Sequence, residues 1–344
     1  MWVTGAVLII LGVAGLYMGL RRMGLRRVAY RRYFAQPGVF EGDGVVLVEE
    51  IANRFFLPLV MVDVDVNLPG DLRLSGYDHR RGMQRFTSRF FLPPFTQIRR
   101  SIGLDCVRRG YYQLDSVNIQ NHTHPAKASL HVYPRAIDAG TSNPMENDLQ
   151  ATASSDRRLH RDPYSFSGVR DYRPGDPFHS INYKATAKTH AVKVNNHDFF
   201  SSRNIMIYID FQVRTYPEPM STDEYHALME LSLSYAADMV WKSIHDGYSV
   251  GLAANCRTLG KGNHIKHPMR RGHEHYMDIL REMAQIRITD GCSFQWLVRQ
   301  DIDSLWNVDI YIMTAADATP LEETIAVFQH RGNHVTILQL NEEL

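Results

Sequence analysis

The sequence predicts a membrane anchor plus an α+β multidomain body: an antiparallel β-sandwich, then an α/β domain on a parallel sheet. Three observations predict it. The first twenty residues carry no charge and are followed by six arginines. Residues 41–138 hold short alternating apolar runs broken by turn residues, and beyond residue 204 strand-length apolar runs alternate with helix-period segments. The 344 residues leave room for one anchor and two domains of ordinary size. An apolar fraction of 44% builds cores but is too low for a multi-span membrane protein.

As a helix, residues 1–20 would span roughly 30 Å, the thickness of a hydrocarbon core. Trp2 and Tyr17 lie near its ends, where amphipathic rings favour the interface. Arg21, Arg22, Arg26, Arg27, Arg31 and Arg32 follow. A cleaved secretory signal carries its positive charge before the apolar run, so retention is expected. The positive-inside rule then gives a single-pass protein of the cell membrane, with residues 33–344 in the cytoplasm. Residues 1–33 form the anchor unit, and the segment 1–32 is expected to contact lipid. The chain carries +1, and without those six arginines the rest carries −5, which argues against nucleic acid as a partner. Cys106, Cys256 and Cys292 lack metal or redox spacing and read as reduced, buried thiols.

In the sandwich segment, Val45–Val48 opens a strand and Leu59–Val66 alternates in its second half, ending at Pro69-Gly70. Phe86–Phe91, Ile98–Val107 and Leu114–Ile119 supply further strands. Asp63 and Asp65 face one side of a strand and read as a solvated edge. His122 and His124 read as loop residues, because two histidines alone make no tetrahedral site. Residues 139–166, rich in Ser, Asn, Asp, Thr and Arg, read as a connector.

The α/β domain, 167–344, opens its sheet with Ile205–Asp210. A helix is expected over Tyr225–His245, a strand over Tyr248–Ala254, a helix over His275–Ile286, a strand over Val308–Met313, a helix over Pro320–Gln329 and a strand over His334–Leu340. Ligands of such sheets sit beyond the strands' carboxyl ends, where Asp210 and Asp317 fall. His264, His267, His273 and His275 cluster in sequence, but with irregular spacing and two intervening arginines they read as a compositional hint only. Gly260-Lys261-Gly262 reads as a turn. No elbow serine, His-Glu-x-x-His or phosphate-loop sequence is present.

The segment Gly168-Val169-Arg170-Asp171-Tyr172-Arg173-Pro174-Gly175-Asp176, continued by Ile181, Tyr183 and Ala187, fits neither a simple helix nor a simple strand. Pro174-Gly175 forces a turn. The pattern resembles the bacterial domain-of-unknown-function family fifty-eight. Arg109-Gly110-Tyr111-Tyr112 and His131–Pro134 are similar to further elements of that family. This chain departs from it at His179, Tyr183 and Lys188, where Arg, Trp and Arg are usual. Arg170, Tyr172 and Asp176 are expected to brace the turn, with Arg170 bonded to Asp176. Lys184 and Lys188 would share a helix face.

The resemblance implies a von Willebrand factor A-like fold for the α/β domain. Metal-binding members of that fold place Asp-x-Ser-x-Ser after the first strand. Here Asp210, Gln212 and Arg214 stand at those positions, so both serine hydroxyls are missing. Thr314 and Asp317 lie near the second expected loop and do not restore them. Arg214 either takes the cation's place beside Asp210 or Asp317, or faces solvent. No metal, no cofactor and no catalytic set is expected. The resemblance further implies a MoxR-type AAA+ ATPase as partner. The resulting expectation is a membrane-tethered, non-enzymatic scaffold or adaptor for such an ATPase. The alternatives are a metal-dependent hydrolase using Asp210 and Asp317, or a structural envelope protein without an ATPase partner.

Overall fold

A computed structural model describes residues 2–75, 84–120, 122–137, 160–173, 181–189, 191–200, 204–212, 221–260, 262–316 and 321–340. The side chains of 2–10, 84, 160–168 and 195–200 lie outside that description. The chain is a mixed α/β multidomain protein in which antiparallel sheets precede a mostly parallel one.

It begins with α1 (Trp2–Leu25), 24 residues and so about 36 Å long. Among the residues whose side chains are described, which in α1 begin at Leu11, no helix is long and apolar enough to cross a membrane. The sandwich then runs through β1 (Val28–Phe34), β2 (Gly38–Phe40), β3 (Gly44–Asn53), β4 (Leu59–Leu68), β5 (Leu72–Leu74), β6 (Gln84–Leu92), β7 (Gln97–Cys106), β8 (Gly110–Ile119) and β9 (His122–Tyr133). One sheet has the order β1-β3-β7-β5 and the other β2-β9-β8-β4-β6. All their pairings are antiparallel except β2 with β9. Alternate residues of both sheets, among them Leu47, Val62, Val64, Val66, Leu104 and Leu130, form one shared core. Each such fully buried aliphatic side chain contributes about 1.5–3 kcal/mol relative to exposure.

Several expectations change here. The stretch read as juxtamembrane contains strand β1, and Arg32 is buried in the sandwich instead of lying on lipid. Its Nε donates to the Ala126 carbonyl at 2.9 Å and its Nη2 to that of Ser116 at 3.0 Å. Arg31 lies over the Tyr33 ring. Asp63 and Asp65 are not on an edge, because β4 pairs on both sides. Asp63 pairs with Arg89 at 2.7 Å and Asp65 with Arg85 at 2.5 Å. Bonds from Arg85 and Thr87 hold the Asp65 carboxyl below its ordinary range. His122 and His124 belong to β9, not to a loop. Cys106 and Cys256 are buried, but Cys292 is only half-buried.

Beyond the sandwich lie β10 (His160–Asp171), α2 (Tyr183–Thr189) and β11 (Lys193–Phe200). β10 and β11 form their own two-stranded antiparallel sheet. The α/β domain follows as β12 (Asn204–Asp210), α3 (Thr222–His245), β13 (Ser249–Ala254), β14 (Cys256–Thr258), β15 (Ile265–Arg270), α4 (His273–Gln285), β16 (Ile286–Asp290), α5 (Phe294–Arg299), β17 (Asp309–Thr314), α6 (Glu322–His330) and β18 (His334–Gln339). Its sheet has the order β15-β13-β12-β17-β18, parallel except for β15. The small ribbon β14-β16 stands beside it.

Central strand β12 is apolar on both faces, as a doubly covered parallel strand must be. Ile205, Ile207 and Ile209 pack beneath α3 and α4, whereas Met206 and Tyr208 pack beneath α5 and α6. A capping box opens α3: Ser221 Oγ accepts from the Glu224 N–H, and the Glu224 carboxylate accepts from the Ser221 N–H. Gly247, at φ 82°, follows the helix's last residues. Tyr133 of β9 joins the α3–α4 core, so the sandwich packs directly on the α/β domain.

Candidate functional site

Asp210 closes β12 at the carboxyl end of the sheet and is 2% exposed. Thr314 closes β17, paired with Asp210 across the parallel register. Asn255 follows β13 directly. Three adjacent strand ends thus converge on one carboxylate. Its Oδ1 accepts from the Gln212 N–H and from Asn255 Nδ2, both at 2.9 Å, and its Oδ2 accepts from Thr314 Oγ at 3.0 Å. Asn255 Oδ1 in turn accepts from the Phe211 N–H at 2.7 Å, and Thr314 Oγ accepts from the Ala316 N–H at 3.0 Å. The Tyr225 hydroxyl donates to the Phe211 carbonyl at 2.6 Å, tying α3 to the loop.

Burial pushes the Asp210 carboxyl above its ordinary 3.8, and Asp290 adds to the rise, against the pull of the three hydrogen bonds. A carboxylate in this position holds the loop after β12 in place. A cation would have to compete with donors that already occupy both oxygens.

Of the residues singled out in sequence, the structure brings Asp210, Gln212 and Thr314 together. Gln212 contributes its backbone N–H. Arg214 and Asp317 lie outside the described residues, as do Pro174, Gly175, Asp176 and His179. Asn255 was not foreseen, since nothing marks it in sequence beyond its place directly after an apolar strand.

The described motif residues lie on or beside the ribbon and α2. Gly168 and Arg170 pair with Asn196 and Val194, and Ile181 bridges to Val194. Arg170 Nη1 donates to the Asp171 carbonyl at 3.1 Å. The Tyr172 N–H donates to the Val192 carbonyl, and Tyr183, Lys184, Ala187 and Lys188 lie exposed on α2. Of the four histidines only His267 and His275 meet, edge to face with ring centroids 5.9 Å apart; the set does not converge on one point. His264 meets Trp296, His267 pairs with Glu282, His275 bonds the Val250 carbonyl at 2.7 Å, and His273 meets Tyr276. Among the described residues no cluster of three or more His, Cys, Asp or Glu is arranged to hold a metal.

The chain is 22% identical to the uncharacterized protein YeaD of Bacillus subtilis (strain 168) over 342 residues, 95% of this chain and 80% of that protein. The similarity is distant, but it runs nearly the full length. No family model matches the chain. Among solved structures, the alkylpurine DNA glycosylase AlkC of Pseudomonas fluorescens matches at TM-score 0.23 and 16% identity, over 31% of each chain. The CARDB domain of a Pyrococcus furiosus protein matches at TM-score 0.22 and 10% identity, over 30% of this chain and 93% of that one. A β-glucosidase of Erythrobacter marinus matches at TM-score 0.22 and 11% identity, over 30% of this chain and 15% of that one.

Proposed function

We propose that the protein is a membrane-tethered, non-enzymatic scaffold or adaptor for a MoxR-type AAA+ ATPase. Its α/β domain is then von Willebrand factor A-like, and the chain belongs with the domain-of-unknown-function family that its motif resembles. The sheet order β15-β13-β12-β17-β18, with the antiparallel strand at one edge, supports that fold reading. The observation that carries the non-enzymatic reading is the closed hydrogen-bond set on Asp210. A carboxylate committed to the loops is a structural post at the cleft rather than a nucleophile or base. The uncharged start of α1 and the arginines after it support a single span with a cytoplasmic body. The ATPase rests on the family resemblance alone.

The test is affinity capture of the full chain from detergent-solubilised membranes. An AAA+ ATPase should be recovered, and EDTA should leave recovery unchanged. Arg214→Glu should weaken it if the cleft is the contact. Capture without any ATPase would remove the partner, and loss with EDTA would move the contact to a bound metal.

A further inference from the structure

We propose that the end of the sandwich beside α1 is a membrane-interface surface, seated in an anionic headgroup layer by an apolar collar of Phe56, Met61, Phe91 and Phe95. This rests on the reading of α1 as an anchor and deepens it. The end of α1 docks on the sandwich. Gly24 lies so close to Leu59 and Phe55 that a Cβ there would come within 2.9 Å of both, and Arg21 Nη2 donates to the Val60 carbonyl at 3.4 Å. Earlier in the helix, Leu11, Val13, Leu16, Tyr17 and Met18 are exposed. A Cβ on Gly12, Gly15 or Gly19 would meet nothing within 4 Å.

Two rigid turns surround that docking point. Buried Asn53 holds both: its Nδ2 donates to the carbonyls of Leu57, Leu92 and Pro93 at 2.9, 3.1 and 3.0 Å, and its Oδ1 accepts from the Phe55 N–H at 3.0 Å. The Asn53 N–H donates to the Thr96 carbonyl, and Thr96 Oγ donates to that of Pro93. These turns carry Phe56 and Phe95. Beside them Met61 sits in the register irregularity of β4 against β6, which ends in Phe91 and Leu92. Phe95 is 74% exposed, Met61 59%, Phe91 57% and Phe56 56%. Phe95 and Met61 also adopt φ of 56° and 53°, where side chains other than Asn and Asp are uncommon. A turn needed for folding alone would favour Gly or Asn at such positions. Large apolar residues held rigidly in water mark a surface with a partner.

Charge identifies the partner. Arg22, Arg26, Arg27 and Arg54 are exposed at this end, and no acidic residue occurs before residue 41. Arg27 lies over the Phe55 ring at 5.7 Å. The nearby acid, Asp63, is taken by Arg89. Arginines among aromatic rings at the foot of an apolar helix match anionic headgroups above an acyl boundary.

The experiment uses the full chain in phosphatidylcholine–phosphatidylglycerol vesicles, with single nitroxides at Leu11→Cys, Met61→Cys, Phe95→Cys and Trp306→Cys in a Cys292→Ser background. Collision with oxygen and with a water-soluble nickel chelate reports depth. Labels at 61 and 95 should show several-fold lower nickel accessibility than the label at exposed Trp306, with the label at 11 deeper still. Lipid without phosphatidylglycerol should raise nickel accessibility at 61 and 95. If 61 and 95 match 306 while 11 is deep, the collar fails and the anchor stands. If 11 also matches 306, the anchor reading fails too. Spin–spin broadening at 95 that persists on dilution with lipid would make a second copy the occupant and overturn the lipid assignment, and indifference to phosphatidylglycerol would overturn its anionic part.

Discussion

Asp210 is where the chemistry of single residues can be tested most directly. Its folded carboxyl titrates above its ordinary value because it is buried. The native state therefore binds the proton more tightly than the unfolded state, and stability falls as pH rises through the interval above 3.8. Asp210→Asn should raise the melting temperature at pH 7, because the amide oxygen can still accept from Gln212 and Asn255 while its NH2 donates to the Thr314 hydroxyl. The gain should vanish once the pH drops below 3.8, where the wild-type carboxyl is already neutral. Asp210→Ala should instead lose about 1–3 kcal/mol for each buried donor left without an acceptor. Denaturant titration at pH 7 and at acid pH separates the two, and equal destabilisation by both variants would show that the charge itself is needed. Asp210 was legible in the sequence because it ends an apolar strand, and Thr314 because the resemblance places a ligand loop there. Asn255 was not, since the asparagine of a strand-end network looks like any loop asparagine.

At the scale of elements, legibility followed burial pattern. Strands β12, β13 and β17 are covered on both faces and read as continuous apolar runs. Strand β1 carries Arg31 and Arg32 and reads as a basic flank until the buried guanidinium of Arg32 is seen to satisfy carbonyls of the opposite sheet. Strand β15, Ile265–Arg270, was hidden by His267, Pro268 and Arg270, because an edge strand tolerates polar residues and proline. The start of the motif, Gly168–Asp171, stands on a two-stranded ribbon, a form with little stability of its own. Helix α3 was legible by its period, and its start is encoded by Ser221-x-x-Glu224. Ser221→Ala should therefore cost about 1 kcal/mol. Hydrogen exchange should speed at residues 222–225 with little change near His245, and an unchanged rate at the first turn would mean the box adds nothing.

For the whole molecule, the relation between the sandwich and the α/β domain turns on Arg109. Its side chain is 3% exposed. Nε and Nη2 form a two-point pair with Glu230 of α3 at 2.7 and 3.0 Å, and Nη1 donates to the carbonyls of Met283 and Ile286. Those carbonyls close α4, where the helix dipole favours a cation; that of Met283 also accepts from the Ile286 N–H. The Arg109 N–H also donates to Glu41 at 2.7 Å, so both ends of the residue are fixed. The Arg-Gly-x-Tyr element was visible in sequence, but the partners of the Arg109 side chain lie more than a hundred residues away and no local pattern names them. Lysine cannot reproduce the fork, so Arg109→Lys should recover only part of the stability. Arg109→Ala should destabilise the full chain by roughly 1–3 kcal/mol, from the lost charge-assisted bonds to half-buried Glu230 and to the carbonyls that close α4. The loss should concentrate at the junction: hydrogen exchange should accelerate in the last turn of α4 and in the parts of α3 and β9 that share its core, ahead of the distal strands β3 and β7. Uniform acceleration across both domains would make Arg109 an ordinary buried residue, and acceleration confined to the sandwich would break the link to the α/β domain that its hydrogen bonds imply.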